Sequence, residues 1–176
     1  MDHYSPDVLI SEEEIALRIE ALAKAINEEF VGEELTVVCV LKGAFMFCSD
    51  LIKKIDLPVR LEFLQLSSYG DGTSSSGNVK IEMDLSGPIK DKNVLIVEDI
   101  VDTGLTLTTL LKMLKVRGPK SLKLASLLFK PSRNIHKVDI DYLGFEIEDK
   151  FVIGYGLDYA GRYRELPYVG VLNAGN

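Results

Sequence analysis

Fourteen consecutive residues, Val94 to Leu107 (VLIVEDIVDTGLTL), carry most of the reactive groups of this chain. Two adjacent carboxylates, Glu98 and Asp99, precede a third, Asp102, which opens the run Asp102-Thr103-Gly104-Leu105-Thr106. Carboxylates accept hydrogen bonds from sugar hydroxyls and offer hard oxygen ligands to a divalent cation such as Mg2+. Thr103 and Thr106 supply O–H donors for phosphate oxygens, and Gly104 lets the backbone approach a ligand without a side chain in the way. Like charge keeps Glu98 and Asp99 off the phosphate itself. Phosphate on one side and a polyol or cation on the other describe a sugar phosphate.

Such groups need elements to hold them. Val94-Leu95-Ile96-Val97 reads as a strand buried on both faces, of the kind found in the middle of a parallel sheet, and the acidic pair is expected to end it. From Leu107 to Leu114 the apolar residues recur at helical spacing. A strand, a tight loop and a helix start place unpaired amides and the positive end of the helix dipole at the loop, where an anion fits. An ordinary connection, with Asp102 or Thr103 capping the helix and the acids solvated, matches the same spacing.

A second strand, Thr36 to Leu41, runs into Lys42-Gly43-Ala44 and then a helical Phe45 to Ile52. A lysine at the carboxyl end of a buried strand stands where open α/β sheets bind ligands, and this loop suits a second anion such as pyrophosphate. Upstream, Ser11 and Glu14 form a capping box for a helix whose apolar face is Ile15, Ile19, Leu22, Ile26 and Phe30, with Gly32 ending it. Arg60 to Leu66 alternates as a half-buried strand, and Val79 to Leu85 and Ser121 to Phe129 supply others. Residues 67 to 78, rich in Gly, Ser and Thr around Tyr69, read as a mobile lid. The expected architecture is α/β, a mostly parallel central sheet flanked by helices, in a single domain over residues 1–176.

With 47% hydrophobic and 27% charged residues the composition is globular. A net charge of -7 argues against nucleic acid or an anionic membrane as partner. No apolar run approaches the about 20 residues a membrane helix needs, and no signal peptide opens the chain, so a cytoplasmic place is expected. Cys39 and Cys48 lack metal-site or CxxC spacing and read as buried thiols; His3 and His136 read as surface residues.

The string from Glu98 to Thr106 resembles the phosphoribosyl pyrophosphate (PRPP) loop of type I phosphoribosyltransferases. Together with Leu41-Lys42-Gly43-Ala44, Ser67-Ser68-Tyr69-Gly70, Lys130-Pro131-Ser132, the segment Tyr142 to Tyr159 and Arg162-Tyr163-Arg164, it resembles the hypoxanthine phosphoribosyltransferases of that family from the first helix to Val171. The resemblance implies a small hood beside the sheet, a flexible lid with Ser68 and Tyr69, and transfer of 5-phosphoribosyl from PRPP to N9 of hypoxanthine or guanine. It implies that Glu98, Asp99, Asp102, Thr103, Gly104, Leu105 and Thr106 hold the ribose 5'-phosphate, with Asp102 as acid/base. Lys42, Gly43 and Arg164 would bind pyrophosphate. Lys130 would meet the 6-oxo group of the purine, Phe151 would stack on it, and Val152 and Asp158 would line its edge. Mg2+ would be held by Glu98, Asp99 and Asp158, and the working form would be a homodimer or homotetramer. Gly161 stands where the family pattern expects a polar residue. A transferase acting on xanthine, a nucleotide-sensing regulator on the same fold and a dinucleotide binder are the rival readings; no G-x-G-x-x-G follows a strand to support the last.

Overall fold

In the computed structural model, which describes residues 6–68 and 79–172, the centre is a six-stranded sheet in the order β4-β3-β2-β5-β6-β7. Its strands are β2 (Leu35–Leu41), β3 (Val59–Ser68), β4 (Val79–Met83), β5 (Asn93–Val101), β6 (Ser121–Phe129) and β7 (Tyr142–Glu146). All neighbours pair in parallel except β3 with β4. The short β4 sits at the edge, and its antiparallel pairing with β3 is one that needs no crossover connection.

Helices cover both faces. Alternation along β2 and β5 sends Val37, Cys39, Leu95 and Val97 to one face, against α1 (Glu12–Glu29) and α2 (Phe45–Ile52). Val38, Val40, Val94 and Ile96 go to the other, against Leu107, Leu110 and Leu114 of α3 (Leu105–Val116). These strand residues are almost wholly buried, which is why their sequence shows no polar alternation. The expected capping box is formed: Ser11 Oγ accepts from the Glu14 amide at 3.2 Å and Glu14 accepts from the Ser11 amide at 2.8 Å. Gly32 lies past the end of α1 with φ 76°.

A second, three-stranded antiparallel sheet combines β1 (Asp7–Ile10), β9 (Val169–Val171) and β8 (Val152–Ile153) in the order β1-β9-β8. It is the expected hood, made of the two ends of the described chain. Tyr155 fastens it to the main body, its hydroxyl donating to Asp50 of α2 at 2.5 Å. Among the described residues no helix is long and apolar enough to cross a membrane.

Candidate active site

Parallel order reverses between β2 and β5: from β2 the chain proceeds to β3 on one side, while β5, β6 and β7 lie on the other. The crevice beyond the carboxyl ends of β2 and β5 is therefore the switch point at which open α/β sheets bind ligands. Lys42 and Gly43 leave β2 there, and Glu98 to Thr106 occupy the end of β5.

The acidic pair does not end its strand. Ile100 and Val101 continue β5, paired with Leu128 and Phe129 of β6, because apolar residues after the acids still have a neighbouring strand to bury against. Glu98 and Asp99 are thus held on sheet backbone, half-buried, instead of hanging from a loop. Burial pushes Asp99 up to about 6, with the hydrogen bond from the Ile100 amide, and more weakly the charge of Arg164, pulling the other way. Glu98 is raised well above the usual carboxylate range, by burial first and by the charge of Asp99 next. Two adjacent, half-buried carboxylates are costly to ionise together.

Neither Asp102 nor Thr103 caps α3. The N-cap is Gly104, with φ 82° and no side-chain cap, so the amides of the first turn face the loop unserved by any side chain. Glu98, Ile100, Val101, Asp102, Thr103, Gly104, Thr106 and Leu107 line a cavity of about 210 Å3 over that helix mouth. A β-carbon on Gly104 would lie 2.1 Å from the His136 carbonyl oxygen. The His136 amide donates to the Thr103 carbonyl at 3.0 Å, so the backbone at residue 136 buttresses the loop from behind. No sequence signal marked this contact.

Gly43 and Gly156 make the next junction. A β-carbon on Gly156 would lie 2.0 Å from the Gly43 carbonyl oxygen, so the hood segment packs directly on the Lys42 loop. Lys42 is exposed beside it, and the peptide between Leu41 and Lys42 is cis. Across the junction Arg164 donates to the Gly156 carbonyl at 2.5 Å and pairs with Asp158 at 2.7 Å. Gly161 explains itself here: Ala160 and Gly161 have φ 52° and 78° in a tight turn between Tyr159 and Arg162. The Gly161 amide donates to Asp158 Oδ2 at 2.8 Å. A glycine adopts that conformation without strain and brings Asp158 to Arg164.

On the far side of the crevice, Lys130 is 8% exposed at the end of β6, its amide bonded to the Val101 carbonyl and its ammonium 3.4 Å from Asp149. Phe151 is 54% exposed, steadied edge-on by Tyr159 with centroids 5.7 Å apart, while Val152 is buried in β8. The exposed face of Phe151 offers stacking and the buried ammonium of Lys130 a hydrogen-bond donor, groups suited to a planar heterocycle bearing an oxo group. Arg133, which the sequence did not single out, donates from Nε to Asp102 Oδ1 at 2.8 Å. Of the lid pair, Ser68 ends β3 and Tyr69 lies outside the described residues.

The fold and this site define a phosphoribosyltransferase, and the chain belongs to that family: the phosphoribosyl transferase domain model matches residues 9–160. Its relatives narrow the class. The chain is 47% identical to the hypoxanthine-guanine phosphoribosyltransferase of Bacillus subtilis over 172 residues, covering 98% of this chain and 96% of that one. A hypoxanthine phosphoribosyltransferase structure from Staphylococcus aureus superposes with a TM-score of 0.93 at 43% identity, covering 97% of this chain and 94% of the other. The bifunctional protein TilS/HprT of Listeria monocytogenes is 47% identical over 165 residues, and there the chain, matched over 94% of its own length, spans only 26% of its relative.

Proposed function

We propose that this protein transfers the 5-phosphoribosyl group of PRPP to N9 of a 6-oxopurine, hypoxanthine first and guanine as well, releasing pyrophosphate. The observation that carries this reading is the uncapped mouth of α3, set beside Glu98 and Asp99 at the switch point of the sheet. The 5'-phosphate sits in that mouth, bonded by the amides from Thr103 to Thr106 and by the two threonine hydroxyls. Glu98 and Asp99 take the ribose hydroxyls, which orients the anomeric carbon toward the base. Lys42, Gly43 and Arg164 receive the pyrophosphate as negative charge builds on it.

On the base side, Phe151 stacks on the purine, Val152 meets its edge through the backbone, and the buried Lys130 donates to the 6-oxo oxygen. Adenine would set an amino donor against that ammonium and is rejected. Asp102 accepts the N7 proton as N9 attacks and returns it in the reverse direction. The segment that starts at Tyr69, directly after Ser68 at the end of β3, is assigned the exclusion of water from the electrophilic sugar.

Among the described residues no three His, Cys, Asp or Glu side chains close into a metal cage. That suits Mg2+ arriving with PRPP, since this ion keeps several waters and takes one or two carboxylates along with substrate oxygens. Glu98 with Asp99 on the ribose side, and Asp158 on the pyrophosphate side, would each hold such an ion, which when bound supplies charge neutralisation to the leaving group. The unpaired thiols of Cys39 and Cys48 fit a reducing, cytoplasmic setting. The exposed Phe45, Leu61 and Phe63 support a homodimer or homotetramer as the working form.

The test is a side-by-side assay of hypoxanthine, guanine, xanthine and adenine with PRPP and Mg2+. Pyrophosphate release with the first two is expected. A preference for adenine would overturn the role of Lys130, and release with xanthine alone would move the activity to that base. Retention by RNA at physiological salt with no turnover of any base would favour a nucleotide-sensing regulator.

A further inference from the structure

Lys130 and Asp102 come from different elements, yet the reading above requires them to meet two neighbouring atoms on one edge of the base, the 6-oxo oxygen and N7. A chain of ionic contacts joins them. Lys130 Nζ lies 3.4 Å from Asp149 Oδ1, Arg133 Nη1 lies 3.4 Å from Asp149 Oδ2, and Arg133 Nε lies 2.8 Å from Asp102 Oδ1. We propose that Arg133 is a positioning residue for the base: through Asp149 it sets Lys130, and through its own Nε it sets Asp102, so that the two groups address adjacent atoms of the purine together. The assignment rests on the activity proposed above and deepens it.

Three features carry it. First, the contact on Asp102 engages Oδ1 through Nε alone, which leaves Oδ2 to exchange a proton with the substrate; a guanidinium gripping both oxygens would block that exchange. Second, the chain is a poor stabiliser. The side chains of Arg133, Asp102 and Asp149 are 45%, 40% and 50% exposed, and ion pairs so open to water contribute little to folding. Its geometric consequence is large all the same, because Asp149 is the ionic partner of the buried Lys130 and lies in the turn that precedes Phe151. Third, the backbone around Arg133 is anchored to the PRPP loop: the Asn134 side-chain amide donates to the Asp102 carbonyl at 3.4 Å, and the His136 amide to the Thr103 carbonyl at 3.0 Å. Arg133 is therefore tied to the loop assigned to the sugar phosphate, and its side chain links that loop to the groups assigned to the base.

The test uses Arg133→Ala, Arg133→Lys, Asp149→Asn and the double variant R133A/D149N, each beside the wild type. Since misplacing reacting groups by a fraction of an ångström slows catalysis, R133A is expected to lower kcat with hypoxanthine roughly 10- to 100-fold. Its KM for the base should rise, while its Kd for PRPP and its melting temperature stay those of the wild type. R133K, which restores a cation but not the fork, should recover part of kcat. The double variant should lose no more than the worse single one, because both break one chain. Undiminished kcat and KM in R133A, additive losses in the double variant, or a loss confined to PRPP affinity would each overturn the assignment. Absence of turnover in the wild type would instead overturn the purine reading on which it stands, so the two failures are told apart in the same experiment.

Discussion

Gly43 is packed so closely on Asp99 that a β-carbon at residue 43 would lie 1.5 Å from the Asp99 Oδ2 oxygen. The Lys42-Gly43 loop after β2 and Asp99 of β5 therefore share one tightly packed surface, and a methyl group added to the first displaces the second.

Gly43→Ala is accordingly expected to push the Asp99 carboxylate from its place, lowering kcat/KM for PRPP roughly 100-fold or more. Gly161→Ala is the contrasting case. Nothing lies within 4 Å of its added methyl group, and the cost comes only from φ 78°, about 1 kcal/mol of stability. Steady-state kinetics and thermal melts of the two variants check the contrast.

Thr106→Val removes one hydroxyl from the residues lining the α3 mouth, the one proposed to bond the 5'-phosphate, and leaves the mouth in place. A hydrogen bond to a charged group contributes about 1.5–3 kcal/mol, so PRPP affinity should fall roughly 10- to 100-fold. Calorimetric titration with PRPP and Mg2+ reads the change directly.

Asp102→Asn keeps the shape of the side chain and removes its capacity to take a proton, the role proposed for it at N7. Loss of a general base typically slows turnover about 10²- to 10⁴-fold, with PRPP binding retained. Purine transfer at an undiminished rate would dismiss Asp102 from that role.

A pH dependence follows from the far side of the sheet. The Tyr142 hydroxyl donates a very short hydrogen bond to Glu29, and Lys123 pairs with the same carboxylate at 3.1 Å. The Tyr142 bond first, and Lys123 next, hold Glu29 below the ordinary range against an opposing effect of burial. A carboxylate depressed in the folded state binds fewer protons there than in the unfolded chain. Its contribution is therefore complete above the ordinary value of 4.5 and is lost as the pH falls through the lower folded value. Glu29→Gln should melt below the wild type at pH 7, and the gap should close as the pH falls below 4.5 and through the lowered value of the folded state. A gap of constant size across that range would show that the charge of Glu29 is not what joins α1 to β6 and β7.

The hood and the strand ends show where local reading stops. β8 and β9 are only two and three residues long, too short for any periodicity, and they exist as strands because β1 from the other end of the chain closes beside them. Likewise Ile100 and Val101 look like loop residues after two acids, and they remain in β5 because β6 is there to pair with them.

What the amino-acid order determined alone is whatever depends on near neighbours: the apolar runs that must be buried on both faces, the Ser11–Glu14 box, and the glycine and threonines at a helix start. These are properties of spacing within a few residues, so they can be read along the chain. Tertiary structure alone decided that Gly104 caps α3 without a side chain, that Gly156 seats the hood on Gly43, and that Arg133 reaches Asp102. The last two join groups from separate elements and the first is held by the residue 136 backbone packed behind the loop, so only the packing of the sheet and its helices sets them.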